Sequence, residues 1–201
     1  MKAKKITAAL LTAALAATAA VSVSAVELTN LSPNGSTEVT AKIQTTGEVN
    51  YVITIPEKVD FGTLTQPATA DDSYKFIDFD ITATTINFTS GAVSVWAKDS
   101  TSTDDQFYIT QKGELADPFT IKYDFYDEAI TDVTGKTPVN SETPSENGYH
   151  ISTFNAASQG EVQDVTLVLN QNQLYGKDLE TIAGDYSGNI IFHSAYNVAG
   201  V

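Results

Sequence analysis

The chain has no cysteine and no arginine, one methionine, one tryptophan and two histidines among its 201 residues. Without cysteine there are no disulfides, no thiolate metal ligands and no thiol nucleophile. Without arginine all 11 basic residues are Lys, so the forked guanidinium that holds phosphate bidentately is missing. Positive charge is scarce in any case: 25 Asp and Glu leave a formal net charge of -14. Nucleic-acid binding requires basic clusters, and an anionic lipid surface repels an acidic protein, so neither is an expected partner. With only His150 and His193 as imidazoles, most schemes that need a histidine base or a histidine-rich metal site also fall away.

Long apolar runs are lacking too, with one exception at the start. Lys2, Lys4 and Lys5 precede an uncharged apolar stretch from Ile6 to Ala20, and Val23-Ser24-Ala25 follows with small or tolerated residues at the cleavage positions. This order of regions predicts a secretory signal peptide over residues 1–25, the apolar stretch being shorter than the roughly 20 residues that cross a bilayer. Cleavage after Ala25 leaves 176 residues with 8 Lys against 25 acids, a charge of -17. The expected location is secreted or extracellular, with cell-wall association open and no membrane span after cleavage. No LPxTG-type sorting signal is present, so surface retention would be non-covalent.

The remaining sequence has a period of two. In Pro118 to Tyr126 the residues Phe119, Ile121, Tyr123 and Phe125 alternate with Thr120, Lys122, Asp124 and Tyr126, as in a half-buried strand. Val49 to Ile55, Ala92 to Lys98, Gln106 to Gln111, Val162 to Leu169 and Gly188 to Tyr196 follow suit, separated by turn formers such as Lys112-Gly113 and Asn147-Gly148. From Tyr74 to Phe88 the apolar phase switches, Ile77, Phe79 and Ile81 being odd and Ile86 and Phe88 even, which predicts a bulge or bend within Thr82 to Thr85 and a strand able to pass between sheets. Gln173 to Ile182 allows a helical turn or two, and Thr134 to Asn147 reads as a solvated loop. The expected fold is all-β: an Ig-like antiparallel sandwich of two sheets with about eight to ten strands, one domain over residues 26–201 with a flexible lead-in to about residue 37.

Chemistry is sparse. No GxSxG or SxxK pattern surrounds a serine, and His193, alternating with Ile191 and Ala195, reads as a residue on a sheet face. Asp78 and Asp80 share a strand face and would suit glycoside chemistry only across a cleft. No enzyme is expected. Asp99, Asp104 and Asp105 lie in an oxygen-rich turn and are the candidate calcium ligands, although the phased DxDxDG spacing is missing; otherwise no cofactor is expected. Trp96, Tyr108 and Tyr126 fall out of phase with the apolar residues of their strands. They are candidate ligand-binding rings for a sugar, or else ordinary fillers of a second layer.

Two strings, YVITIPEKVDFGTL at Tyr51 to Leu64 and AGDYSGNIIF at Ala183 to Phe192, occur together. They resemble the opening strand pair and closing hairpin of the WxL-like secreted β-sandwich surface proteins of Gram-positive bacteria, although the defining Trp-x-Leu pairs are absent and Trp96 is followed by Ala97 and Lys98. The resemblance implies a WxL-like sandwich and non-covalent binding to the cell wall. The expected function is therefore that of a non-enzymatic secreted or cell-surface protein in adhesion, cell-wall association or subunit assembly, with a cell-wall polymer, glycan or protein as partner. The alternative is a carbohydrate-binding module that uses exposed aromatics.

Overall fold

A computed structural model describes residues 49–198, so the signal peptide over 1–25 and the lead-in to about 37 lie outside the described residues. Nine strands alternate along the chain: β1 (Asn50–Thr54), β2 (Tyr74–Asn87), β3 (Ala92–Asp99), β4 (Phe107–Gln111), β5 (Thr120–Tyr126), β6 (Tyr149–Asn155), β7 (Val162–Asn170), β8 (Tyr186–Ser187) and β9 (Ile190–Asn197). All pairs are antiparallel. A six-stranded sheet runs β1-β2-β7-β5-β4-β8 and a three-stranded sheet runs β6-β3-β9, an all-β two-sheet sandwich as the alternation requires. The single α-helical turn, α1 (Leu179–Ile182), and the 3-10 turn Gln171–Leu174 fall where the sequence allowed a turn or two. Among the described residues no helix is long and apolar enough to cross a membrane.

The core lies between the sheets. Phe107, Ile121, Phe125, Ile81, Val165 and Leu169 come from the larger sheet and Val95, Ala97, Ile151 and Phe154 from the smaller, all at 2% exposure or less. Rings bridge the layers: Phe79 of β2 meets Phe192 of β9 edge-on at 6.3 Å, and Phe107 of β4 lies 5.8 Å from Tyr149 of β6. From Val165 onward β7 is covered on both faces. Val165, Leu167 and Leu169 enter the main core, while Val168 packs on the outer side with Tyr126 and Ile130. Its apolar run from Val165 to Leu169, broken only by Thr166, is the sequence mark of a strand with no solvated face.

The phase switch in β2 has the expected cause. Val52 pairs with Thr85 and Ile53 with Ala83, so Thr84 is the extra residue of a bulge. Contrary to expectation, β2 does not cross between sheets: its first half pairs with β7, its second with β1, and both neighbours belong to the six-stranded sheet. The loop Thr134 to Asn147 also departs from the solvated reading. It contains a 3-10 turn, Val139–Ser141, in which Val139 and Asn140 are buried. Asn140 accepts from the Phe125 amide at 3.0 Å and donates to Gln106 and to Asp124, so one amide side chain pins the loop to β5.

Strand β6 was not legible as a strand, and β8 is only two residues long. β6 carries Tyr149, Ile151, Ser152 and Phe154 inward, two consecutive residues among them, because β3 and β6 are offset by a bulge: Val95 pairs with Ser152 but Trp96 with His150. The extra residue, Ile151, breaks the alternation that sequence reading depends on.

Candidate functional site

Val93, Val95 and Ala97 point into the core with 0%, 1% and 0% exposure, so Trp96, one residue out of phase, stands on the outer face of the small sheet. Register then supplies its neighbours. Trp96 pairs with His150 on β6 and with His193 on β9, placing the chain's only indole between its only two imidazoles. The ring centres are 6.1 Å apart for His150, edge-on, and 5.8 Å for His193, tilted. The bulge at Ile151 is what sets His150, rather than an isoleucine, opposite Trp96. Both histidines are exposed and Trp96 is half-buried.

The rest of the face mixes hydroxyl, amide and apolar groups with one lysine, Ile191 being 41% exposed. β3 contributes Ser94 and Lys98 beside Trp96, β6 contributes Thr153 and Asn155, and β9 contributes Ile191, Ala195 and Asn197. Thr153 Oγ1 lies 2.8 Å from His150 Nε2 and 3.3 Å from Ser94 Oγ, a small polar chain along the edge of the indole. Among the described residues, none of the outward-facing positions of these three strands is a carboxylate. In a chain with 25 acids and 11 Lys, Lys98 is the single full charge among the outward-facing described residues of these strands. Asp99, at the end of β3, accepts from the amides of Thr101, Ser102 and Tyr108, and Glu146, before β6, meets Lys98 through its backbone carbonyl at 3.3 Å.

The other proposed rings do not join Trp96. Tyr108 is on β4 of the larger sheet, where its hydroxyl donates to Asp104 at 2.7 Å; that bond, followed by burial and the charges of Asp104 and Asp99, raises its pKa to about 12. Tyr126 is corrected outright: it is 4% exposed, packed with Ile130 and Val168 under the segment that follows β5. Alternation predicted exposure on the assumption that the outer face of β5 is wet, and the chain after Tyr126 covers it. A long-range contact of this kind leaves no mark in the local pattern.

The three acids offered as calcium ligands do not converge either. One oxygen of Asp99 accepts from the Thr101 and Ser102 amides and the other from the Tyr108 amide of β4, and Asp104 accepts from Ser102, Tyr108 and the Gln106 amide, with the Ser102 bond first among the causes that lower its pKa. Asp105 takes a left-handed backbone (φ 59°) and offers its carbonyl to the Tyr149 hydroxyl. Among the described residues no group of three or more His, Cys, Asp or Glu could hold a metal ion. A shallow hollow of about 370 Å³ adjoins this turn, lined by Asp99, Ser102, Asp105, Glu146 and Tyr149 among others. Asp78 is likewise engaged, accepting from the buried Thr166 hydroxyl at 2.7 Å.

The two strings with the WxL-like resemblance sit in the larger sheet and at its junction with β9. Tyr186 donates to the Ile182 carbonyl at 2.6 Å and so fixes the corner through which the chain passes from α1 into β8. No family model matches the chain, and no curated protein matches it. Among solved structures it is similar to a chain of a chaperone–tip adhesin complex described as vital for synergistic activation of CFA/I fimbriae biogenesis, with TM-score 0.48 and 19% identity over 75% of this chain. It is also similar to the P pilus rod subunit PapA, with TM-score 0.46 and 12% identity over 73% of this chain and 99% of that one. This chain spans 42% of the length of the adhesin-complex chain.

Proposed function

We propose that the protein is an exported, non-enzymatic β-sandwich that attaches to a partner at the cell surface, in adhesion, wall association or subunit assembly, and that it does so through the outer face of β6-β3-β9. One observation carries this: among its described residues an acidic chain leaves one sheet face free of carboxylates and centres on it its only Trp, flanked by both histidines. An acid-free face on an otherwise acidic surface orients the approach of a polyanionic partner. The export signal at residues 1–25 and the WxL-like strings at Tyr51 to Leu64 and Ala183 to Phe192 support a wall-facing role. A second reading, a carbohydrate-binding module, is favoured by Trp96 specifically, since a half-buried indole on an outer sheet face, beside hydroxyls and imidazoles, suits the C–H face and the hydroxyls of a sugar ring.

Retention on cell walls purified from the source culture tests the proposal. Wild-type protein should sediment with the walls, and Trp96→Ala should reduce retention at least about tenfold, the loss expected for one interface anchor worth 1.4 kcal/mol or more. Equal retention of a folded Trp96→Ala protein would remove the face from the argument.

A further inference from the structure

We infer that the free edge of β9 is an interface between copies of this chain, independent of the reading of the outer face: two β9 strands pair antiparallel and join two three-stranded sheets into one of six. β9 (Ile190–Asn197) ends the small sheet, and among the described residues no strand pairs with its far edge. A sheet edge presents a row of amides and carbonyls that templates another strand unless something guards it. The other sheet ends carry guards. β8 has two residues, β1 has five and is bulged against β2, and β6 is bulged against β3 at Ile151. β9 has eight residues in unbroken register with β3, and none of them is Pro, Lys, Asp or Glu. In a chain with 25 acids and 11 Lys, the whole stretch from Tyr186 to Val198 contains neither.

The core is also unfinished along β9. Val93, Val95, Tyr149 and Phe154, inward residues of β3 and β6, are at most 3% exposed, whereas Ile190, Phe192, Ser194 and Tyr196 on the inward side of β9 are only half-buried. A second copy of the strand covers them, because the sequence of β9 complements itself. Opposite residues of an antiparallel pair share a face, and a two-fold axis through His193, normal to the sheet, satisfies this along the strand. It sets the exposed Ile191 against Ala195 on the outer side, and Phe192 against Ser194 and Ile190 against Tyr196 on the inner side. In the first two pairs a large side chain meets a small one. Copies of a chain with net charge -14 repel one another, and a strand without acids is the approach that brings fewest carboxylates together. Trp96 pairs with His193 within each copy, so the axis places two indoles in one row, three strand spacings or about 14 Å apart, on the same side of the joined sheet. Two such rings meet one partner surface together, and linkage raises avidity without any new contact.

The experiment is sedimentation velocity of the purified exported protein from about 1 to 300 μM, a range that brackets small, weak interfaces. Wild type should pass from monomer to dimer and stop there, since a two-fold contact uses the one edge that each copy offers. His193→Lys, its fold checked by circular dichroism, sets two ammonium groups directly opposite and should weaken the dimer at least about threefold, with part of the loss restored by about 1 M salt. The chain has no cysteine, so a single introduced thiol reports the register. Opposite Cβ atoms lie about 4.5–5.5 Å apart, close to disulfide reach, and under a mild oxidant His193→Cys should cross-link copies at least about tenfold faster than Thr153→Cys, an exposed position on β6. Trp96→Ala should still dimerise. A monomer at every concentration, growth beyond the dimer, an undiminished dimer in His193→Lys, or cross-linking no faster at residue 193 than at residue 153 would each overturn the inference. Loss of the dimer in a folded Trp96→Ala protein would place the contact on the outer face and overturn it too. Wall retention is read separately: a Trp96→Ala protein that dimerises but no longer sediments with walls supports the edge contact and the docking face alike.

Discussion

Asp104 shows how a carboxylate that looks like a metal ligand in sequence can be committed to local structure. It accepts from Ser102, from the Gln106 amide and from Tyr108, and the last of these bonds is the first cause of the elevated Tyr108 pKa of about 12. The folded state thus favours the protonated phenol. Its contribution to stability is complete below the unfolded tyrosine value of about 10 and is lost as pH rises through about 12. In an ultraviolet absorbance titration, Asp104→Asn should move one tyrosine from near 12 back towards about 10. An unchanged titration curve would mean that burial, not the hydrogen bond, holds the phenol. Tyr108 and Asp104 were both visible in the sequence as an out-of-phase ring and an acidic turn, but their partnership was not, because four residues of separation in a turn says nothing about which side chains meet.

At the scale of elements, the hairpin side of β6 depends on one glycine. Gly148 has φ of 105° and a Cβ placed there would collide with the Ala97 carbonyl of β3, so the close approach that starts the β3–β6 ladder is open only to glycine. Gly148→Ala should cost about 1–3 kcal/mol for the left-handed backbone alone, with the collision added to it, measured by urea unfolding. Because β6 supplies His150, the variant should also weaken docking. A loss below about 0.5 kcal/mol, within the range of ordinary surface substitutions, would contradict this account of the hairpin. The Asn147-Gly148 pair was readable as a turn, yet the strand after it was not. Ile151 is an inserted residue, and the bulge that it makes scrambles the period-two signal while it aligns His150 with Trp96. In β2 a bulge was readable, because the run is long enough to show both phases on either side of Thr84.

For the whole molecule, charge sets the response to acid. Asp60, Asp72, Asp104 and Asp132 have lowered pKa values, held down respectively by the Lys58 side chain, by Asn170 and Tyr74, by Ser102 and Tyr108, and by the Thr134 amide and hydroxyl. Carboxylates of this kind bind fewer protons folded than unfolded, so their stabilisation is present above about pH 4 and is lost as pH falls through the folded values. Against this, a net charge of -14 imposes self-repulsion at neutral pH that eases as acids begin to protonate. Thermal melting should therefore hold or rise slightly from about pH 7 to 5 and drop below about pH 4. A midpoint still climbing at about pH 3 would show that repulsion outweighs the four hydrogen-bonded acids.

The sequence alone determined the class of fold and its interior, because both follow from local periodicity. Val93, Val95 and Ala97 against Trp96, Ile121, Tyr123 and Phe125 against Thr120 and Lys122, and the apolar run from Val165 to Leu169 are one-strand patterns that bury the same faces in any antiparallel sandwich. It also determined the acidity of the surface and the shortage of imidazoles. Only the tertiary structure decided which residues keep company. His150 and His193 are 43 positions apart and meet Trp96 through two separate ladders, one of them bulged. Tyr126 is covered by chain that follows it, and Asn140 reaches back from a polar loop to cap an amide of β5. Strand register and the folding of loops over sheet faces are set by contacts between segments distant in sequence. A period of two records which side of a strand is apolar, and it carries no information about which strand lies alongside or what covers the other face.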